Sequence, residues 1–169
     1  MNVADLLVDS FGRVHDTVER VLDGLTPELL ADCPNDSSNS IGWLVWHLTR
    51  VQDDHIADAA GIEQVWTREG WFTRFDLPFD REATGYGQTH DEVRSVRSDA
   101  SQLLGYHQAV LRQTVTYITP LTGSDLERIV DYSWDPPVSL GVRLVSVLAD
   151  DGQHAGQAAY VRGLITAHR

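Results

Sequence analysis

Three residues stand out by type and spacing. Asp150 and His154 are four apart, which stacks their side chains one turn apart on one helix face. The stripe that holds them is otherwise apolar. It runs from Leu140 and Val147 through Asp150, Asp151 and His154 to Ala158 and Val161. Buried acids are costly unless they are paired or bound to a metal. An Asp-x-x-x-His pair presents two metal ligands from a single helix. A third candidate ligand, His47, lies on the flank of another apolar stripe, between Leu44 and Val51. One carboxylate and two imidazoles from facing helices make an N,N,O set suited to zinc, nickel, iron or manganese. Three protein ligands leave positions open, as catalysis requires. Asp151, three from His154, is the alternative carboxylate. The bland alternative is a hydrogen-bonded structural histidine beside a surface Asp–His pair, and spacing alone leaves both readings open.

Other residues are weaker candidates. Gln157 lies one turn beyond His154, placed to position a bound water or thiol. Arg162, two turns on, could pair with a substrate carboxylate or with helix acids. His107 falls on an apolar stripe and must be satisfied internally, structurally or behind the site. Asp54 and His55 follow His47 by two turns, and Asp54 is a candidate to orient a metal ligand from behind. His15, His90 and His168 read as ordinary surface histidines. Cys33, just before Pro34, reads as an ordinary thiol. No G-x-S-x-G elbow or P-loop occurs, and no lysine is present for Schiff-base chemistry.

Four long segments with helical periodicity must carry these residues. Helices are expected near 2–23, 39–60, 89–119 and 139–167. In the first, Val3, Leu6, Leu7, Phe11, Val14, Val18, Val21 and Leu22 share a face, and Gly24 is placed to end it. Thr26-Pro27-Glu28 reads as a capped short turn. The cap-rich stretch Asp36–Ser40 opens the second helix. Its stripe is Ile41, Leu44, Val45, Leu48, Val51 and His55. Thr89 and Glu92 fit a capping box for the third, Pro120 ends it, and Ser124–Glu127 repeats the cap logic for a short turn. Residues 134–137, with two prolines, must be extended or turned. No stretch alternates well enough to be a strand. Between 62 and 88 the periodicity dissolves into Gly, Pro and aromatics: Trp66, Trp71, Phe72, Phe75, Phe79 and Tyr86. A loop of that length is often functional. It could be a substrate-facing lid or an aromatic plug over the core. The expected architecture is an all-α four-helix bundle with this long connection between helices two and three.

Composition narrows the classes. The chain has 169 residues, 42% of them hydrophobic and 22% charged, the profile of one globular domain spanning 1–169. Its net charge is −12, which repels phosphate backbones and anionic lipid, so neither nucleic acid nor membrane is an expected partner. No run of about 18 apolar residues suggests a membrane span. The N-terminus lacks a basic region ahead of its apolar residues, and the lone cysteine cannot close an internal disulfide; both fit a cytoplasmic protein. All 13 basic residues are arginine, which we read as compositional bias from a GC-rich genome.

The ligand residues also carry a resemblance. Asn39-Ser-Ile-Gly-Trp-Leu-Val-Trp-His-Leu-Thr-Arg50 resembles the second helix of the DinB-like superfamily of metal-binding bundles. Asp150-Asp-Gly-Gln-His-Ala-Gly-Gln-Ala-Ala-Tyr-Val-Arg162 resembles its fourth helix. The superfamily usually binds metal through three histidines, one on helix two and two on helix four. His47 and His154 match two of these, and Asp150 stands where the third is usual. The mycothiol-dependent maleylpyruvate isomerases, similar in fold, carry a carboxylate there. The resemblance therefore implies an actinobacterial thiol S-transferase or isomerase. Its divalent metal, zinc first among the options, would activate mycothiol as cosubstrate against a small electrophile, and the protein could be a homodimer. Metal-dependent hydrolysis on the same bundle and a non-enzymatic interaction bundle are the competing functions.

Overall fold

The computed structural model describes residues 1–167; His168 lies outside them. Among the described residues, eight helices and one small hairpin follow in chain order. They are α1 (Val3–Leu22), α2 (Pro27–Leu30), α3 (Ile41–Ala60), α4 (Val65–Arg68), α5 (Trp71–Phe75), α6 (His90–Ser95), α7 (Ala100–Ile118) and α8 (Leu140–Thr166). A 3-10 turn at Asp125–Glu127 precedes the two strands, β1 (Ile129–Asp131) and β2 (Val138–Ser139). The strands pair antiparallel around residues 132–137, where the two prolines forbid helix. No helix among the described residues is long and apolar enough to cross a membrane.

The long helices start where side chains satisfy the first free N–H groups. Asn2 and Asp5 form a capping box on α1. Ser40 caps α3, and Ser139 caps α8. Gly61, at φ +67°, ends α3 in the left-handed conformation that glycine adopts without strain. Thr89 and Glu92 form the expected box on α6. Ser124, by contrast, makes no cap bond; Asp125 instead accepts from the Thr122 N–H.

The bundle consists of α1, α3, α7 and α8, as expected, with α1 and α3 each packed on both α7 and α8. Two apolar clusters fill it. One surrounds Trp46, Trp66 and Tyr106, and the other surrounds Phe11, Ile56, Ile118 and Leu144. Along α3 and α8 the clusters are separated by polar residues: Thr49, Gln52 and Asp53 on one, Asp150, Asp151 and His154 on the other. The chemistry therefore sits in a band between two hydrophobic layers.

Three further expectations need correction. The helix expected over 89–119 is two helices, because Val96 leaves the helix at ψ 110° and Asp99 caps a new start by accepting from the Gln102 N–H. Ser95 bonds back to the Glu92 carbonyl, a competing local bond that favours the break. Leu6 does not face inward; Leu7 takes the buried position and Leu6 is exposed. His15 is not an ordinary surface residue. Its ring stacks on His107 at 5.3 Å, with Nδ1 buried.

The 62–88 connection divides into two parts. Its first half is the plug: Val65, Trp66, Trp71 and Phe75 are buried in the first cluster. A buried polar anchor fixes it to the bundle. Arg50 and Asp53, both fully buried, lie 3.7 Å apart on α3. Asp53 accepts from the N–H groups of Val65 and Trp66 and from the Tyr106 hydroxyl. Arg50 donates to Gln64, to Tyr106 and to the Ala83 carbonyl, with its guanidinium 4.9 Å from the Trp66 ring. Trp71 packs against Tyr106 and Phe75. Because Trp71 is core and not lid, Trp71→Phe is expected to cost about 1–2 kcal/mol of stability and to leave the helical circular dichroism unchanged. Chemical denaturation beside far-ultraviolet spectra checks both.

Candidate metal centre and its cleft

The second half of the connection, 79–88, returns to α3 and builds one wall of the site. The Thr84 carbonyl accepts from His47 Nδ1 at 2.5 Å. A carbonyl can only accept, so Nδ1 carries the proton and Nε2 keeps its lone pair. Trp43 stacks on the His47 ring at 4.5 Å, and its indole N–H donates to Gln88 at 2.7 Å, tying the wall to α3 from the other side. Burial lowers the His47 pKa, outweighing the Thr84 bond that opposes it. His47 is thus a neutral imidazole with a free Nε2.

Gly85 makes the approach possible. Its φ is +99°, and a Cβ there would stand 2.6 Å from His47 Nδ1. Gly85→Ala must therefore strain the backbone and push the imidazole aside. The expected result is a 10- to 100-fold weaker divalent-metal affinity, roughly the cost of losing a group that orients a ligand, with the helical circular dichroism unchanged. Competition against a chromophoric chelator measures it.

His154 faces His47 across the helix pair, with ring centroids 4.8 Å apart. Its Nδ1 donates to the Gln157 side-chain carbonyl at 2.9 Å, so Nε2 is the nitrogen left to face Asp150, 3.5 Å from Oδ1. The Asp150 carboxylate raises the His154 pKa against the effect of burial, with help from Gln157. Burial works against ionisation of Asp150, but His154 and then His47 and His55 overturn it and leave its pKa lowered. Asp150 Oδ2 is buried and finds no hydrogen-bond partner among the described residues. One ligand atom each from His47, Asp150 and His154 lies within 4.8 Å of the others. Two imidazoles with their outer nitrogens occupied, and a carboxylate with a spare buried oxygen, fit a divalent metal.

Asp151 points elsewhere. It is fully buried, and neither carboxylate oxygen has a partner among the described residues. Burial, and then the charge of Asp150, push its pKa well up, so it is held as a neutral acid in the core. Arg162 is spoken for by backbone: Nη1 donates to the carbonyls of Val21 and Asp23 at 2.6 and 2.7 Å. It ties α8 to the C-terminal end of α1, pairing with neither a helix acid nor the triad. Gln157 sits against His154. Asp54 accepts from Gln64 and lies 3.9 Å from His55 Nδ1, without touching a triad residue.

A cleft of about 420 Å³ opens beside the triad, lined by His47, Val51, Asp54, His55, Thr84, Tyr86, Ser146, Val147 and Asp150. Sequence reasoning missed Thr84, Gly85 and Trp43 as parts of the site. Cys33 is absent from the lining, and burial raises its thiol pKa.

Comparison with known proteins adds the following. Residues 6–167 match the family model described as mycothiol-S-transferase. No curated protein matches. Among solved structures, a conserved protein from Enterococcus faecalis superposes with a TM-score of 0.92 at 29% identity, covering 99% of each chain.

Proposed function

The chain belongs to the mycothiol-S-transferase family, and from that premise we propose that it joins the sulfur of mycothiol to a small electrophile, using a divalent metal held by His47, Asp150 and His154. The observation that carries the reading is the pair of imidazoles, each anchored through Nδ1, with a ligand atom of each within 4.8 Å of one from Asp150.

A divalent metal there, zinc in this reading, supplies positive charge that keeps a thiol as thiolate near neutral pH, where a free thiol of pKa about 8.5 is mostly protonated. The protein's own part is to hold the ligands and shape the space. Thr84 and Trp43 fix His47, and Gln157 fixes His154. The 79–88 wall and α8 bound the cleft that positions thiol and electrophile, a source of rate through orientation. No cysteine lines that cleft, which agrees with a thiolate brought in by the cosubstrate.

The test is thiol consumption against a panel of electrophiles with mycothiol and divalent metal each present or omitted. Turnover is expected only with both, and Cys33→Ser retains it. Equal rates with and without metal overturn the proposal, and metal-dependent turnover without thiol would make the protein a hydrolase instead.

A further inference from the structure

At the end of the cleft away from His154, a second histidine is held as deliberately as the ligands. Arg143, on α8, donates from Nη1 to His55 Nδ1 at 3.0 Å and from Nη2 to Asp131 of β1 at 2.6 Å. A guanidinium can only donate, so His55 Nδ1 is the acceptor and its proton is on Nε2. Nε2 has no partner among the described residues and is not sealed from solvent. The ring lines the same cleft as His47 and Asp150. The Asp131–Arg143 strut thus turns one N–H of His55 into a fixed donor for whatever occupies that cleft.

The fixed donor is also a reluctant acid or base. Burial and then Arg143 lower the His55 pKa, against Asp54, Asp58 and Asp150, which raise it. An imidazole that stays neutral gives a hydrogen bond without giving up its proton. The rest of the lining is polar. Beside His55 the cleft is lined by Ser146, Thr84, Tyr86 and Asp54, and no lysine or arginine is among the described residues that line it. Hydroxyls and a carboxylate suit a ligand that carries neutral hydroxyls or amines.

Resting on the transferase reading above, we propose that His55, fixed by Arg143 and Asp131, is a specificity-determining hydrogen-bond donor for the hydroxyl-bearing carbon skeleton of the thiol cosubstrate. The cleft thereby favours polyol thiols over thiols that lack hydroxyls.

The probe is glucosaminylinositol, the hydroxylated head of mycothiol without its sulfur, titrated calorimetrically into the full chain. Wild type is expected to bind it. His55→Leu weakens binding about fivefold, the worth of one neutral hydrogen bond, while His55→Gln, which keeps an N–H donor, retains it. With wild-type protein alone, the ¹⁵N signal of a histidine protonated on Nε2 should shift on adding the head group. In turnover, His55→Leu raises KM for mycothiol by a similar factor and changes neither kcat nor KM with N-acetylcysteine, which lacks the head. Equal head-group binding by wild type and His55→Leu overturns the proposal, as does no binding by wild type, or a fall in kcat with both thiols. Failure of the transferase reading looks different: wild type then consumes neither thiol, while the head-group titration still decides His55.

Discussion

Purified without chelator, wild type is expected to hold one divalent metal per chain, and His154→Ala none. Structural zinc sites with four ligands release on the order of 10–16 kcal/mol, so one ligand carries roughly a quarter, or about a hundred- to thousandfold in affinity. Removing His154 also strands Asp150, whose Oδ1 loses its neighbour at 3.5 Å and whose Oδ2 already lacks one among the described residues. The two adjacent acids should then separate cleanly. Asp150→Asn replaces an anionic donor by a weak neutral one and loses metal nearly as far as His154→Ala. Asp151→Asn leaves the affinity unchanged, because Asp151 faces the core. Elemental analysis after dialysis reads all four proteins. Undiminished stoichiometry in His154→Ala, or loss in Asp151→Asn with retention in Asp150→Asn, would mean that the metal lies elsewhere.

The triad was legible because it breaks a local rule. Polar residues at helical spacing on apolar faces are visible in any sequence, and the three fall on two helices that pair in space. The clamp on His47 was not legible. Thr84 and Gly85 meet His47 from 37 and 38 positions away, and no periodicity connects a loop carbonyl to a helix imidazole. The Arg50–Asp53 anchor left a fainter trace: two opposite charges three apart, just after the largely apolar run from Ile41 to Leu48. Reading α3 as one stripe hid it, since residues 41–50 are buried on every side. The break before α7 was signalled by Ser98 and Asp99, both good cap residues, yet the capping box at Thr89 and the stop at Pro120 bracket what reads as one helix. His15 looked like a surface residue because its neighbour, His107, is on another helix. The family resemblance supplied what spacing could not, the expectation of an exogenous thiol as the nucleophile.

The buried His107 should make the fold sensitive to acid. Thr49 donates its hydroxyl to the Val45 carbonyl, so it accepts from His107 Nδ1 at 3.1 Å, and the bare lone pair of Nε2 is left buried with no partner among the described residues. A proton on Nε2 would place a charge in the core, against His15. Burial and then His15 lower the His107 pKa from 6.5 to about 3. The unfolded chain therefore takes up a proton below pH 6.5 that the folded chain refuses until about pH 3. The stability that neutral His107 provides is complete above the unfolded value and falls with decreasing pH by about 1.4 kcal/mol per unit between the two. His107→Leu removes the titrating group, keeps a similar volume, and leaves the Thr49 hydroxyl bonded to Val45. Near pH 7 the variant should stand close to wild type. At pH 4 it should resist denaturation better than wild type by about 3 kcal/mol relative to their difference at pH 7. Urea titrations of both proteins at pH 7, 5.5 and 4, with chelator present so that metal loss does not enter, measure the difference directly. Parallel curves at all three pH values would mean that His107 already shares a proton in the folded state.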